Sequence, residues 1–199
     1  MSFSVPQSVD LLANSITNLS NIQELSMCSL EMFNGPMQQA ELAMSKSCEL
    51  FDSLEQLSTL RCLDLSKNKF PHQVCLKMIK ILPRLPRLQM LALCNVNLSD
   101  ENVYQFCQML TNLRTVRKLN ISNNQGISAN SMAEVVGSFK TMPELRDIDL
   151  SKNACNAVQV FKELADLIIQ NKKLKSISMQ RTGMTDALAN FLSEPLVRA

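Results

Sequence analysis

Apolar positions along this chain follow one order, a short alternation and then a helical stripe, and that order returns at a nearly constant interval. Leu60, Leu63, Leu65 and Asn68 are followed by Leu88, Leu91 and Leu93. Then come Val116, Leu119, Ile121 and Asn124; Leu145, Ile148, Leu150 and Asn153; and Leu174, Ile177 and Met179. The units begin at 60, 88, 116, 145 and 174, so their spacings are 28, 28, 29 and 29 residues. A fainter copy, Ile22, Leu25, Met27 and Leu30, begins 38 residues before the first of these. A fixed period in the twenties means that one supersecondary unit is copied and stacked into a solenoid.

Within a unit, Leu63 and Leu65 alternate with Asp64, as a short strand with one buried face requires. Asn68, Asn124 and Asn153 follow three residues after the strand, where a side-chain amide pairs with backbone groups that a turn leaves unsatisfied inside a stack. Val96 and Thr182 occupy that place in two other units, so the asparagine ladder is expected to break there. Each second half reads as a helix: Val103, Phe106, Leu110 and Leu113 recur at helical spacing, as do Met132, Val135, Phe139 and Met142. Ser99, followed by Asp100 and Glu101, predicts a capped helix start, and Ser128 stands in the equivalent place. Pro83, Pro86 and Pro143 fall where the helix must end. A single strand and helix cannot close a core, so the units must stack with strands inside the curve and helices outside.

The 28 to 29 residue unit, the LDLSKN and LNISNN segments and a full outer helix resemble the ribonuclease-inhibitor type of leucine-rich repeat. The resemblance covers about residues 5 to 192. It implies an α/β solenoid, a horseshoe arc with a parallel concave sheet and convex helices. For function it implies a recognition module, a role that such repeats fill in ribonuclease inhibition, innate immune receptors, actin regulation and GTPase activation. Fold alone does not choose among these.

At 199 residues and 46% apolar content, the chain reads as one elongated domain over 1–199, with an N-terminal helix at 5–20 and repeats starting near 22, 60, 88, 116, 145 and 174. A net charge of +2 gives no bulk attraction to nucleic acid, and no apolar stretch reaches membrane-spanning length. The opening twenty residues lack the basic cluster and apolar run of a secretory signal. Seven cysteines without a C-x-x-C pair fit reduced thiols in the cytoplasm or nucleus. Both ends look incomplete: the chain opens on the helix half of a repeat, with Val9, Leu12, Ile16 and Leu19 as its stripe, and a last helix around Asp186 to Leu192 has no polar cap. That points to part of a longer protein.

The long first unit carries about ten extra residues between Met32 and Leu50, after a turn signal at Asn34-Gly35-Pro36. Two readings stand: a lengthened outer helix, or a docking element offering Met37 and Met44 as adaptable apolar contacts.

The candidate site is the inner strand face. Its basic residues are Arg61, Lys67, Arg117, Lys118, Arg146, Lys152, Lys175 and Arg181, against the acids Glu24, Asp64, Asp147 and Asp149. Eight against four is a basic surplus where the whole chain stands at 20 to 18, and it suits a protein partner with an acidic surface. The competing reading is a solvated face, with Asp64 and Asp149 placed as this type of repeat places Asp. No Trp, Tyr or Phe lies among these positions to anchor an interface.

Catalysis, metal binding and cofactors find little support. His72 is the single histidine and opens an outer helix after Pro71, a capping position. The cysteines show no metal-ligand spacing, and Cys75 and Cys107 fall on buried helical stripes. Four scattered glycines build no phosphate loop, and one tyrosine builds no stacking surface for nucleic acid. The expected function is non-enzymatic protein binding on the concave face, with no cofactor, metal, nucleic acid or membrane involved. The alternatives are a GTPase-activating or other enzyme-regulating repeat protein, and a structural spacer within a larger receptor or scaffold.

Overall fold

A computed structural model describes residues 11–16, 18–19, 21–30 and 37–184. A helical segment α1 (11–16) leads into six strands, each three residues long. They are β1 (Glu24–Ser26), β2 (Cys62–Asp64), β3 (Met90–Ala92), β4 (Lys118–Asn120), β5 (Asp147–Asp149) and β6 (Ser176–Ser178). Between them run α2 (Met37–Leu54), α3 (His72–Ile81), α4 (Asp100–Asn112), α5 (Ala129–Ser138) and α6 (Val158–Gln170). The strands form one parallel sheet in sequence order. Its register places Leu25, Leu63, Leu91, Leu119, Ile148 and Ile177 in a single row, as the repeat pattern predicts. The chain is an α/β leucine-rich-repeat solenoid, with the sheet on the concave side and the helices on the convex side.

Stacking explains the burial. The strand leucines share one hydrophobic cluster with the helix stripes, and Leu60 through Leu150 of the repeat pattern are buried throughout. At the two ends the equivalent residues are only partly buried: Ile22, Leu25 and Leu30 at one, Leu174, Ile177 and Met179 at the other. In α1 the buried residues are Ala13 and Ile16, whereas Leu19, expected on the stripe, is 44% exposed because the helix has already turned toward β1. Val9, Asn34 to Pro36 and the expected helix at 186–192 lie outside the described residues.

The asparagines do what their position predicts. The Asn124 amide donates to the carbonyls of Leu93 and Ile121, both at 2.9 Å, while its Oδ1 accepts from Val96 and Leu98 at 3.1 and 3.2 Å. Asn68 and Asn153 repeat the two donations. At the expected breaks, buried Val96 contributes no side-chain bond, and Thr182 keeps only a hydroxyl donation to Met179 at 2.9 Å.

Caps agree, with one addition. Ser99 forms a capping box with α4 in which Asn102, not an acid, returns the bond to the Ser99 N–H at 2.8 Å. The Ser128 hydroxyl accepts from Ser131 at 3.3 Å. Cys75 is buried as expected, but Cys107 is only half-buried, being on the flank of the α4 stripe that faces α5. Part of the extra length of the first unit lies in α2, whose 18 residues exceed the 10 to 13 of the other helices, while residues 31–36 lie outside the described ones. That is the lengthened outer helix, and Met44 packs partly against the core.

Candidate functional site

The sheet lines an open hollow of about 590 Å³ that touches all six strands. Two rows of side chains make its floor, because only alternate strand residues face that side. One row runs Glu24, Cys62, Met90, Lys118, Asp147, Ser176, and the other Ser26, Asp64, Ala92, Asn120, Asp149, Ser178. Met90 and Ala92 form an apolar centre, Met90 being 40% exposed. Around it stand four carboxylates and one base, Lys118, which lies 3.9 Å from Asp147.

Some of these acids are committed locally. Asp64 and Asp149 each accept the backbone N–H two residues on, at 2.9 Å, and Asn120 does the same. This closes the turn that follows each strand. Asp147 accepts from the Ser176 hydroxyl at 3.0 Å.

The eight basic residues do not form one patch. Only Lys118 is on the floor, because each strand spans just three residues and the flanking positions fall on turns. Arg61, Arg117, Arg146 and Lys175 stand immediately before their strands, on the leading rim. The N–H of Gln89 donates to Arg61, that of Arg117 to Gln89, that of Arg146 to Arg117 and that of Lys175 to Arg146, at 2.7 to 2.8 Å. Lys67, Lys152 and Arg181 occupy the trailing rim at the far ends of the strands. They share a left-handed backbone, φ 64°, 59° and 56°, with Ser29, Asn95 and Asn123 of the other repeats. Non-glycine residues hold this conformation when surrounding bonds impose it. Here the N–H of Lys67 donates to Cys94 and that of Lys152 to Gln180, both at 2.7 Å.

The concave face is therefore acidic on its floor and basic on both rims. Arg146 is not a free rim charge: it lies 3.9 Å from Glu144, and its Nε is buried without a partner. Glu144 also accepts a short bond from Lys173, which together with Arg117 and Arg146 holds its carboxyl below the usual range. Sequence reasoning missed Arg87. It precedes Leu88 and so lies outside the strand pattern, yet it lines the same rim recess as Arg61 and Arg117. The run Pro86-Arg87-Leu88-Gln89, with a charge beside the first leucine of a repeat, was the available signal.

Elsewhere, His72 begins α3, with Nδ1 3.1 Å from the Asn102 amide and 3.5 Å from Glu101. Among the described residues no three His, Cys, Asp or Glu side chains gather as metal ligands do, and no helix is long and apolar enough to cross a membrane.

Curved parallel sheet, outer helices and asparagine ladder together define a leucine-rich-repeat fold, and the comparisons agree. A family model described as "Leucine Rich repeat" matches residues 56–70. The C-terminal domain of tropomodulin from Caenorhabditis elegans is similar at 12% identity with a TM-score of 0.53, over 96% of this chain and 92% of that one. Leiomodin-1 actin-binding site 2 gives 13% and 0.51, over 99% and 92%. The leucine-rich-repeat protein LegL7 from Legionella pneumophila gives 15% and 0.56, over 98% and 67%. A comparison with curated proteins gives no significant match.

Proposed function

We propose that this chain is a single, non-enzymatic protein-binding domain of the ribonuclease-inhibitor-like repeat class, working in the cytoplasm or nucleus, and that its concave face receives the partner. One observation carries the reading: an open hollow of about 590 Å³ crosses every strand and centres on exposed Met90. A contiguous apolar patch with a charged border is the anatomy of a protein interface. The partner it fits has an apolar ridge flanked by basic groups for the floor, and acids placed for the rims. The fold likeness to an actin-binding site of leiomodin makes actin the first partner to assay.

A photo-crosslinking residue at position 90 tests this against one at Tyr104, which is 69% exposed on convex α4. The expected result is a discrete crosslinked species from position 90 that is absent from position 104. Equal labelling from both positions overturns concave docking. Stimulated GTP hydrolysis across a panel of small GTPases would favour the enzyme-regulating alternative instead.

A further inference from the structure

On the leading rim, Arg61, Arg87, Arg117, Gln89, Thr115 and Glu144 border a shallow recess of about 230 Å³, closed at one side by Pro86. Its construction follows from the repeat. Arg61 and Arg117 flank Gln89 in the backbone ladder, so their Cα atoms are two strand spacings, roughly 10 Å, apart. Arg87 comes from the position before the first leucine of the middle repeat. The same position holds Thr59 and Thr115 in the repeats on either side, and each hydroxyl donates to a carbonyl of the preceding repeat, at 2.8 and 2.7 Å. Those threonines stay low against the backbone and leave Arg87 between two neutral neighbours.

Charge compensation is incomplete at this recess. Arg84, nearby, is neutralised by Glu55 at 2.8 Å. Glu144, the one acid at the border, is engaged by Lys173 and lies 3.9 Å from Arg146. Among the described residues, Arg61, Arg87 and Arg117 have no carboxylate within ion-pair reach. Three guanidiniums thus share a recess that holds a single, already occupied carboxylate. Guanidinium forks match carboxylates bidentately.

The geometry points to an anion-receiving pocket in which Arg61, Arg87 and Arg117 take adjacent carboxylates of an acidic segment on the protein partner. This rests on the protein-binding reading and adds to it the partner's chemistry and the point on the rim where it is held.

Fluorescence anisotropy of the whole chain with a labelled peptide of alternating Asp and Glu tests the pocket. The wild-type chain is expected to bind, more weakly as salt rises. Arg87→Gln with Arg117→Gln should weaken binding about tenfold. Lys80→Gln with Lys162→Gln, an equal loss of charge on the exposed outer helices α3 and α6, should change it less than about twofold. Arg87→Lys with Arg117→Lys keeps the charge and loses the fork, and an intermediate loss supports carboxylate recognition. Circular dichroism verifies the fold of each variant. Equal weakening by the two glutamine pairs, or no binding by the wild type at low salt, overturns the pocket. Arginine-dependent binding of a neutral peptide carrying one phosphoserine, without binding of the acidic peptide, overturns the carboxylate assignment. The position-90 crosslink is scored separately: a crosslink that persists when the arginine pair proves silent removes the pocket and leaves concave docking standing.

Discussion

Two asparagines from successive repeats bond directly: the Oδ1 of Asn153 accepts the backbone N–H of Asn124 at 2.7 Å. Both side chains are buried, so the bond joins the turns of neighbouring units where water cannot substitute. Asn124→Ala should cost about 1 to 3 kcal/mol, because the carbonyls of Leu93 and Ile121 and the N–H groups of Val96 and Leu98 lose their partner. Urea denaturation checks it. An Asn68→Ala variant should cost less, since its Oδ1 serves Leu30, near the partly buried end of the stack.

Leu119 is 2% exposed and pairs in register with Leu91 and Ile148. Leu119→Ala should destabilise by about 2 to 5 kcal/mol. Because a solenoid transmits loss through nearest-neighbour interfaces, hydrogen exchange should show the central repeats losing protection before the ends. A neutral variant would contradict the register of the sheet.

Across the convex face, Lys140 of the turn after α5 bonds Glu163 of α6 at 2.7 Å, and Asp166 is 3.5 Å away. The bond with Lys140 holds the Glu163 carboxyl below its ordinary 4.5, and the bond with Glu163 holds the Lys140 amine above its ordinary 10.5. A depressed carboxylate stabilises the fold above its unfolded value and loses that as pH falls through its folded one. A raised amine contributes below its unfolded value and loses that as pH rises through its folded one. Glu163→Gln should therefore cost about 1 kcal/mol between pH 4.5 and 10.5, with the difference vanishing in acid. Thermal melts across that range measure it.

Burial alone pushes the thiols of Cys75 and Cys155 up to about 12, while Cys28 is exposed. Since the thiolate is the reacting form, native-state alkylation should reach Cys28 first. Cys75 and Cys155 should react only on unfolding. Mass spectrometry of timed samples reads the order, and early modification of Cys155 would contradict its packing.

Gly126 carries its carbonyl to the N–H of Asp100 at 3.1 Å, pinning the turn of one repeat to the start of α4 in the one before. An added Cβ would lie 2.9 Å from the Ser99 Cβ and 3.0 Å from the Leu98 carbonyl. Gly126→Ala should cost about 1 to 3 kcal/mol, as overpacking does, with a lower urea midpoint as the readout.

Spacing along the chain alone determined the repeat, its register, the row from Leu25 to Ile177, the asparagine ladder and its breaks at Val96 and Thr182. Each depends on which face a residue takes within one unit, and the periods of strand and helix set that locally. Tertiary structure decided the site. A three-residue strand leaves the positions beside it on opposite rims, so Arg117 and Lys152 share an inner-face pattern yet stand at different ends of their strands. Whether a rim charge is free depends in part on acids that stacking brings near: Glu144 bonds Lys173 of the next repeat as well as approaching Arg146 two residues on, while Arg61, Arg87 and Arg117 line one recess. Coulomb attraction acts through space at a few ångströms, and no pattern within a single repeat records which side chains of three repeats come that close.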